Sequence, residues 1–253
     1  MSKEPLAARV ALVTGAGRNI GREIALSLAA SGTAVVVNVR SSVEEGQSVV
    51  DEITERDGRA LLCVADVADQ NAVLQMVAEV EAQWGRLDVL VNNAAVRRET
   101  KLDDISAADW HRTLAIILDG AFFCTQAALR LLRESERPTI VNIGGMTGHT
   151  GAANRLHVVT AKAGLAGMTR ALAHELAPDG ITVNCVAPGM IDTVRHAASS
   201  AANPDHRRRH HTLLTRHGTA GEVAQTVAWL AGDGARFVTG QVIHVNGGAY
   251  LGG

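Results

Sequence analysis

Short apolar runs alternate with helical patterns along the whole chain. Val10–Val13, Ala34–Asn38, Leu61–Val64, Asp88–Val91, Thr139–Ile143, Ile181–Val186 and Val242–Val245 read as strands. They are apolar without strict alternation, as strands buried on both faces are. Between them, Ile20/Ile24/Leu28, Val49/Val50/Ile53, Val73/Val77/Val80/Trp84 and Val223/Val227/Trp229/Leu230 mark helices that bury one face. Strand, helix, strand in succession predicts consecutive βαβ units and a doubly wound parallel sheet of the α/β class. No linker, internal repeat or low-complexity run divides residues 1–253, so one domain is expected.

The first unit carries the clearest chemistry. Val10–Val13 runs into Thr14-Gly15-Ala-Gly17-Arg18-Asn19-Ile20-Gly21 and then a helix that Ser31-Gly32 stops. A helix N-terminus presents unpaired N–H groups and a partial positive charge, which suits an anion. Gly15, Gly17 and Gly21 would let a pyrophosphate approach the backbone where a Cβ would obstruct it. Spacing alone would also fit an ordinary tight turn, and the position between strand and helix is what favours a dinucleotide.

The residue that ends the second strand selects the dinucleotide. An acid there holds the ribose 2′-hydroxyl of NAD and repels a 2′-phosphate. This chain has Asn38-Val39-Arg40-Ser41-Ser42 instead, and Arg18 in the turn can reach the same group. Two arginines and no carboxylate favour NADP over NAD. At the end of the third strand, Asp66 can meet the adenine amino group or cap the helix beginning near Asp69.

Composition narrows the class. The formal net charge of −2 argues against a surface devoted to nucleic acid or anionic membrane. No apolar run approaches bilayer-spanning length, and Met1–Arg9 has no signal-peptide core. Cys63, Cys124 and Cys185 are widely spaced among apolar neighbours, as buried thiols of a reducing compartment are. A cytoplasmic enzyme is expected.

Thr14-Gly15-x-x-x-Asn19-x-Gly21, Asp66-Val67, Asn92-Asn93-Ala94-Ala95, Pro188-Gly189 and Gly240–Gly248 follow one another in an order that resembles the short-chain dehydrogenase/reductase family. The resemblance covers essentially the whole chain and is strongest toward ketoacyl reductases and sugar-alcohol dehydrogenases. It implies a seven-stranded doubly wound sheet, a homotetramer, and a cofactor held by Gly15, Gly17, Arg18, Asn19, Ile20, Gly21, Asn38, Arg40, Ser41, Asp66, Val67, Asn93, Ala94, Lys162, Pro188, Gly189, Ile191 and Thr193. Asn19 departs from the small residue usual at its place.

The resemblance also implies a catalytic Asn/Ser/Tyr/Lys set, and here the chain departs from it. Lys162 stands where the lysine belongs, but the places of asparagine, serine and tyrosine fall on Ile117, Gly145 and Val158. None of these three can exchange a proton. The only tyrosine, Tyr250, lies near the C-terminus. His149 and His157 are the candidate substitutes, since imidazole serves as acid or base near neutral pH. His157 points about 100° away from residue 158 around a helix, so it does not inherit the tyrosine's direction. Lys162 itself is open to two roles, proton transfer and holding the cofactor ribose. Arg97, Asn142 and Arg155 are further polar candidates at the pocket rim.

A substrate lid is expected at about 190–217. Half of the ten histidines lie between His196 and His217, and His206-Arg-Arg-Arg-His210-His211 reads as a solvated face or an anion clamp. A metal there is disfavoured, because three arginines would repel the ion. Two classes of function follow. One is an atypical NADP(H)-dependent oxidoreductase acting on a small activated carbonyl or conjugated substrate, an anionic one if the basic run is a clamp. The other is a catalytically silent NADP-binding or partner subunit, and a lyase or isomerase on the same scaffold is a narrower third.

Overall fold

The computed structural model describes residues 9–193 and 212–252. Seven parallel strands form one sheet: β1 (Val10–Val13), β2 (Ala34–Val39), β3 (Ala60–Val64), β4 (Val89–Asn92), β5 (Thr139–Ile143), β6 (Thr182–Pro188) and β9 (Val242–Val245). Their order across the sheet is β3-β2-β1-β4-β5-β6-β9, with every ladder parallel. The doubly wound sheet predicted from the sequence is what forms. Its strand order reverses between β1 and β4, and the crevice at such a reversal is where open α/β sheets bind ligands.

Helices cover both faces. On one side, α1 (Asn19–Ala30), α2 (Val43–Thr54) and α8 (Ala220–Ala231) enclose a core that includes Val13, Ile24, Val37, Val141 and Val227. On the other, α3 (Gln70–Trp84), α5 (Gly120–Arg133) and α7 (Leu156–Leu176) enclose Leu12, Val36, Leu90, Leu131 and Leu165. Because both faces are covered, the central strands carry no polar side, which explains their unbroken apolar runs. Trp229 is a correction. It lies two residues from Val227, about 200° around α8, and is exposed rather than packed.

Helix α4 (Ala107–Leu114) passes through a π-helical turn, Ala115–Asp119, into α5 without a break. The combined helix has the length and apolarity to cross a membrane, yet it packs against α3, β4 and α7 as part of the sheet's cover. Cys63, Cys124 and Cys185 are all buried and unpaired. Asp88, just before β4, is buried but stays ionised. Burial pushes its pKa up, and hydrogen bonds from Arg86, Ser135 and the Val10 amide outweigh that and hold it below the usual value.

The short strands β7 (Ile191–Asp192) and β8 (Gly218–Thr219) pair with each other and pin the two ends of the expected lid. His217 Nδ1 lies 2.7 Å from an Asp192 carboxylate oxygen at this join. Most of the lid, including Arg195, His196 and the basic run His206–His211, lies outside the described residues.

Candidate functional site

A cleft of about 540 Å³ opens where the strand order reverses. Its floor is the turn between β1 and α1. Gly21 must be glycine, since a Cβ there would lie 2.3 Å from the Gly15 carbonyl oxygen and 2.5 Å from Asn93 Nδ2. Asn19 opens α1 at φ +51°. That left-handed conformation explains the departure noted in the sequence, because asparagine is among the few non-glycine residues that adopt it readily.

The turn is lashed to β4. Thr14 Oγ1 accepts from the amides of Asn93 at 2.9 Å and Ala94 at 3.0 Å. The Asn93 side chain donates to the carbonyls of Thr14 and Gly15. Asn38 completes the frame from β2. It accepts from the Gly15 amide at 3.3 Å and donates to Ala65 O at 3.1 Å, so its amide is spent on the backbone. Gly15, Gly17, Arg18, Asn19, Ile20 and Gly21 line the floor, and Asn38, Arg40 and Ser41 line the β2 end. Asp66, Val67, Asn93, Ala94 and Thr193 line the remaining walls.

Several lining residues had no flag in the sequence. Glu45, in the first turn of α2, lies 3.7 Å from Arg18, so a carboxylate does stand near the place of a 2′-phosphate. Arg112 of α4 reaches Asp66 at 3.2 Å across 46 residues of sequence. Asp66 also accepts from the Ala68 amide, while Asp69 caps α3, which separates the two roles that the sequence left open. The position of Glu45 could have been inferred from the helix following Arg40. The Arg112 contact could not, because only the fold brings it there.

The catalytic end looks different. Gly145 has open space where a side chain would be, with Lys162 Cγ alone nearby at 3.9 Å from an ideal Cβ. Ile117 and Val158 are both buried, Ile117 within the π-helical turn. Lys162 is buried below them and donates to the Ile143 carbonyl, outside the lining of the cleft. Burial chiefly, then the charge of Arg97, bring its pKa down to about 7; Cys185 opposes this, and Arg155 adds a smaller lowering. An ammonium ordinarily near 10.4 thus becomes a group that exchanges protons at neutral pH.

His157 lines the cleft and is fully buried, and neither ring nitrogen has a hydrogen-bond partner. Burial lowers its pKa; Asp109 opposes this, while Arg155 and Arg98 add to it. His149 does not line the cleft. It packs in a three-ring cluster, 4.7 Å from His244 and 5.9 Å from Tyr250 between ring centres. Asn142 corrects another expectation. It is buried within the sheet, accepting from Asn92 and donating to Thr169 at 2.9 Å each, far from any rim. Pro188, Gly189 and Ile191 are not among the residues that line the cleft; Pro188 O accepts from the Met146 amide, and the Gly189 amide donates to Val245 O.

A family model described as Enoyl-(Acyl carrier protein) reductase matches residues 15–250. The chain is also 41% identical over 243 residues to the 3-oxoacyl-[acyl-carrier-protein] reductase FabG of Staphylococcus aureus, covering 95% of this chain and 98% of that one. The chain belongs to the short-chain dehydrogenase/reductase family. Another family member, the (2S)-[(R)-hydroxy(phenyl)methyl]succinyl-CoA dehydrogenase subunit BbsD of Thauera aromatica, is 42% identical over 248 residues, covering 96% of this chain and 97% of that one. A short-chain dehydrogenase from Burkholderia cenocepacia, solved in complex with NADP, superimposes with a TM-score of 0.89 at 37% identity, covering 97% and 99% of the two chains. The resemblance read from the ordered motifs is therefore membership.

Proposed function

We propose that this chain is an NADP(H)-dependent oxidoreductase that transfers hydride to a small activated carbonyl or conjugated substrate. One observation carries the reading. The cleft is built as a dinucleotide site, with the glycine turn, Asn38, Asn93 and Thr14 locked together by hydrogen bonds. A pocket that had lost its ligand would have no use for that frame. Arg18 and Arg40 on its rim favour the 2′-phosphate of NADP, and the NADP-bound relative from Burkholderia supports the same choice. The relatives named as 3-oxoacyl reductases and as a succinyl-CoA dehydrogenase support carbonyl–alcohol redox chemistry.

In this reading the cofactor supplies the hydride and the chain supplies position and protons. Gly15 to Gly21 and the α1 N-terminus hold the pyrophosphate. Thr193 and the backbone of Ile191 hold the nicotinamide, and Lys162 holds the ribose or exchanges a proton. His157 and water are the other proton sources, whereas His149, packed against His244 and Tyr250, stands off the cleft. A positioned general acid contributes about 10²–10⁴ in rate, so a site without tyrosine or serine suits substrates whose activation replaces most of that help. The protein acts as one cytoplasmic domain with a lid at about 190–217, as a homotetramer, without resident metal, nucleic acid or membrane partner.

The apolar triad favours a second reading, a catalytically silent NADP-binding or partner subunit. NADPH oxidation by the purified protein, followed over a panel of ketones, β-ketoesters, α,β-enones and acyl thioesters, separates the two. The first reading expects turnover with the activated members and slow or no turnover with a simple β-ketoester. Tight NADPH binding with no oxidation anywhere in the panel would move the conclusion to the second.

A further inference from the structure

The strand order β3-β2-β1 fixes where the base of a dinucleotide goes. The pyrophosphate belongs on the turn after β1, and the ribose beside Arg40 and Ser41 at the end of β2. Neighbouring strands lie about 4.8 Å apart, the step from a ribose to its base. The base therefore comes to the end of β3, where Asp66 and Val67 line the cleft.

Arg112 of α4 meets Asp66 at that place. It lines the same cleft, and its Nη2 donates to Asp66 Oδ2 at 3.2 Å, while Asp66 Oδ1 accepts from the Ala68 amide at 3.1 Å. Both groups have capacity to spare. A carboxylate offers about four lone-pair sites, of which Asp66 uses two, and a guanidinium about five N–H donors, of which Arg112 uses one among the described residues. Both can also be reached, since the side chains are 51% and 29% exposed for Arg112 and Asp66. An ion pair this open contributes little to the fold. What it does present to the cleft is an acceptor and a donor side by side. That is the complement of the amino edge of adenine, where the N6 amino group donates and the ring nitrogen beside it, N1 or N7, accepts.

We propose that Arg112 is a specificity-determining residue of the cofactor site, donating to a ring nitrogen of adenine while Asp66 accepts from the neighbouring amino group. This rests on the reading that the cleft holds NADP(H). The glycine turn recognises phosphate and Arg40 the 2′ end, so neither reads the base. Arg112 adds that reading from α4, and the ion pair with Asp66 holds its guanidinium at the base before the cofactor enters. A hydrogen bond between a charged donor and a neutral ring nitrogen is of the stronger, charge-assisted kind.

The test titrates the full chain calorimetrically with adenosine 2′,5′-bisphosphate and with its 1-deaza and 7-deaza analogues, in each of which one ring nitrogen becomes C–H. Wild type should bind at least one analogue about fivefold or more weakly than the parent, the scale of a half-exposed charge-assisted hydrogen bond. Arg112→Leu should bind the parent about fivefold or more weakly than wild type does, and one such deficit should vanish, leaving parent and analogue within about twofold. Arg112→Lys should recover part of both effects. An arginine that only braced α4 would weaken all three ligands alike and leave every deficit standing. That result would overturn the proposal, as would wild-type affinities within about twofold across the three ligands, or no binding of the bisphosphate at all. Failure of the oxidoreductase reading shows separately. Base discrimination that depends on Arg112, in a protein that never oxidises NADPH, would uphold the base site and remove the hydride transfer.

Discussion

The two ends of the cleft differ in how their polar groups are used. Around β1, β2 and β4, the side chains of Thr14, Asn38 and Asn93 are hydrogen-bonded to backbone and hold the glycine turn in shape. Around β5 and α7, Ile117 and Val158 are apolar, Lys162 is bonded only to its own wall, and His157 has no partner. The first end is self-sufficient and waits for a cofactor of fixed shape. The second has its polar groups unassigned until something enters. One cleft thus joins a half whose polar groups are committed to backbone with a half whose polar groups are not.

The harshest way to break the comparison is to damage the half that is intact. Gly21→Val would place side-chain atoms where even a Cβ meets the Gly15 carbonyl at 2.3 Å. The obstacle is backbone, which cannot step aside as a flexible side chain would. NADPH affinity should fall by at least 100-fold, checked by fluorescence titration. The Lys162 end should keep its packing, so the unfolding transition should remain cooperative.

The opposite experiment fills the other half. Ile117→Asn with Gly145→Ser and Val158→Tyr should create ketone reduction, with a rate gain on the scale of a positioned acid, about 10²–10⁴. The three changes differ in their structural cost. Gly145 has room for the serine, whereas Ile117 and Val158 are buried, so the asparagine and tyrosine should lower Tm. Val158→Tyr alone should gain less than the set, because such residues act as a unit. Adding Lys162→Ala should remove the gain, as the tyrosine would lose the nearby charge that lowers its pKa. A triple variant that folds, binds NADPH and reduces no ketone would show that this half has been reshaped for other work.

Lys162 also makes the difference visible in stability. With its folded pKa near 7 and an unfolded value near 10.4, the unfolded chain holds a proton that the folded chain has released between those limits. Stability therefore rises with pH across that window, and the full penalty of burying the ammonium stands below about pH 7. In cofactor-free protein, Lys162→Met should be more stable than wild type at pH 6.5, by a few kcal/mol in order of magnitude. The advantage should shrink by pH 9.5. Urea unfolding at both values tests this, and equal pH dependence in the two proteins would contradict it.

How much of this was legible in the chain depends on how local each feature is. The dinucleotide half is written contiguously, as strand, glycine turn and helix within Val10–Ala30, so pattern alone located it. Ile117, Gly145 and Val158 were legible by position within the family motifs. Arg112 on Asp66 and Arg97 on Thr193 join residues 46 and 96 apart, which no spacing reveals. Asn142 was misplaced because a polar residue at a strand's end resembles a rim residue, until the fold shows Asn92 and Thr169 on either side of it.

A finer prediction sharpens the cofactor choice. Arg40→Asp should lower NADP⁺ affinity about 10–100-fold, the scale of one charge-assisted hydrogen bond of about 1.5–3 kcal/mol, and favour NAD⁺. Glu45→Gln should act in the other direction and raise NADP⁺ affinity a few-fold at low salt, since Arg18 now shares its charge with that carboxylate. Equal affinity for the two cofactors in wild type would contradict the assignment.

The smallest effect separates the two kinds of departure from the family. The family resemblance expects a small residue at Asn19, as it expects polar ones at Gly145 and Val158, yet the φ of +51° at Asn19 shows that this position asks for a conformation rather than a reacting group. Asparagine meets that demand with its short polar side chain. Glycine would relieve the remaining strain but lose more chain entropy on folding, and each is worth about 0.5–1 kcal/mol. Asn19→Gly should therefore leave Tm within about 2 °C and NADP⁺ affinity within about threefold. Asn19→Val, with a branched Cβ forced into the left-handed region, should lower Tm by about 3–6 °C, on the scale of about 1–2 kcal/mol. If Asn19→Gly instead changed cofactor affinity more than tenfold, its amide would be a cofactor ligand in its own right. The intact half would then have undergone a chemical substitution like the one at the substrate end.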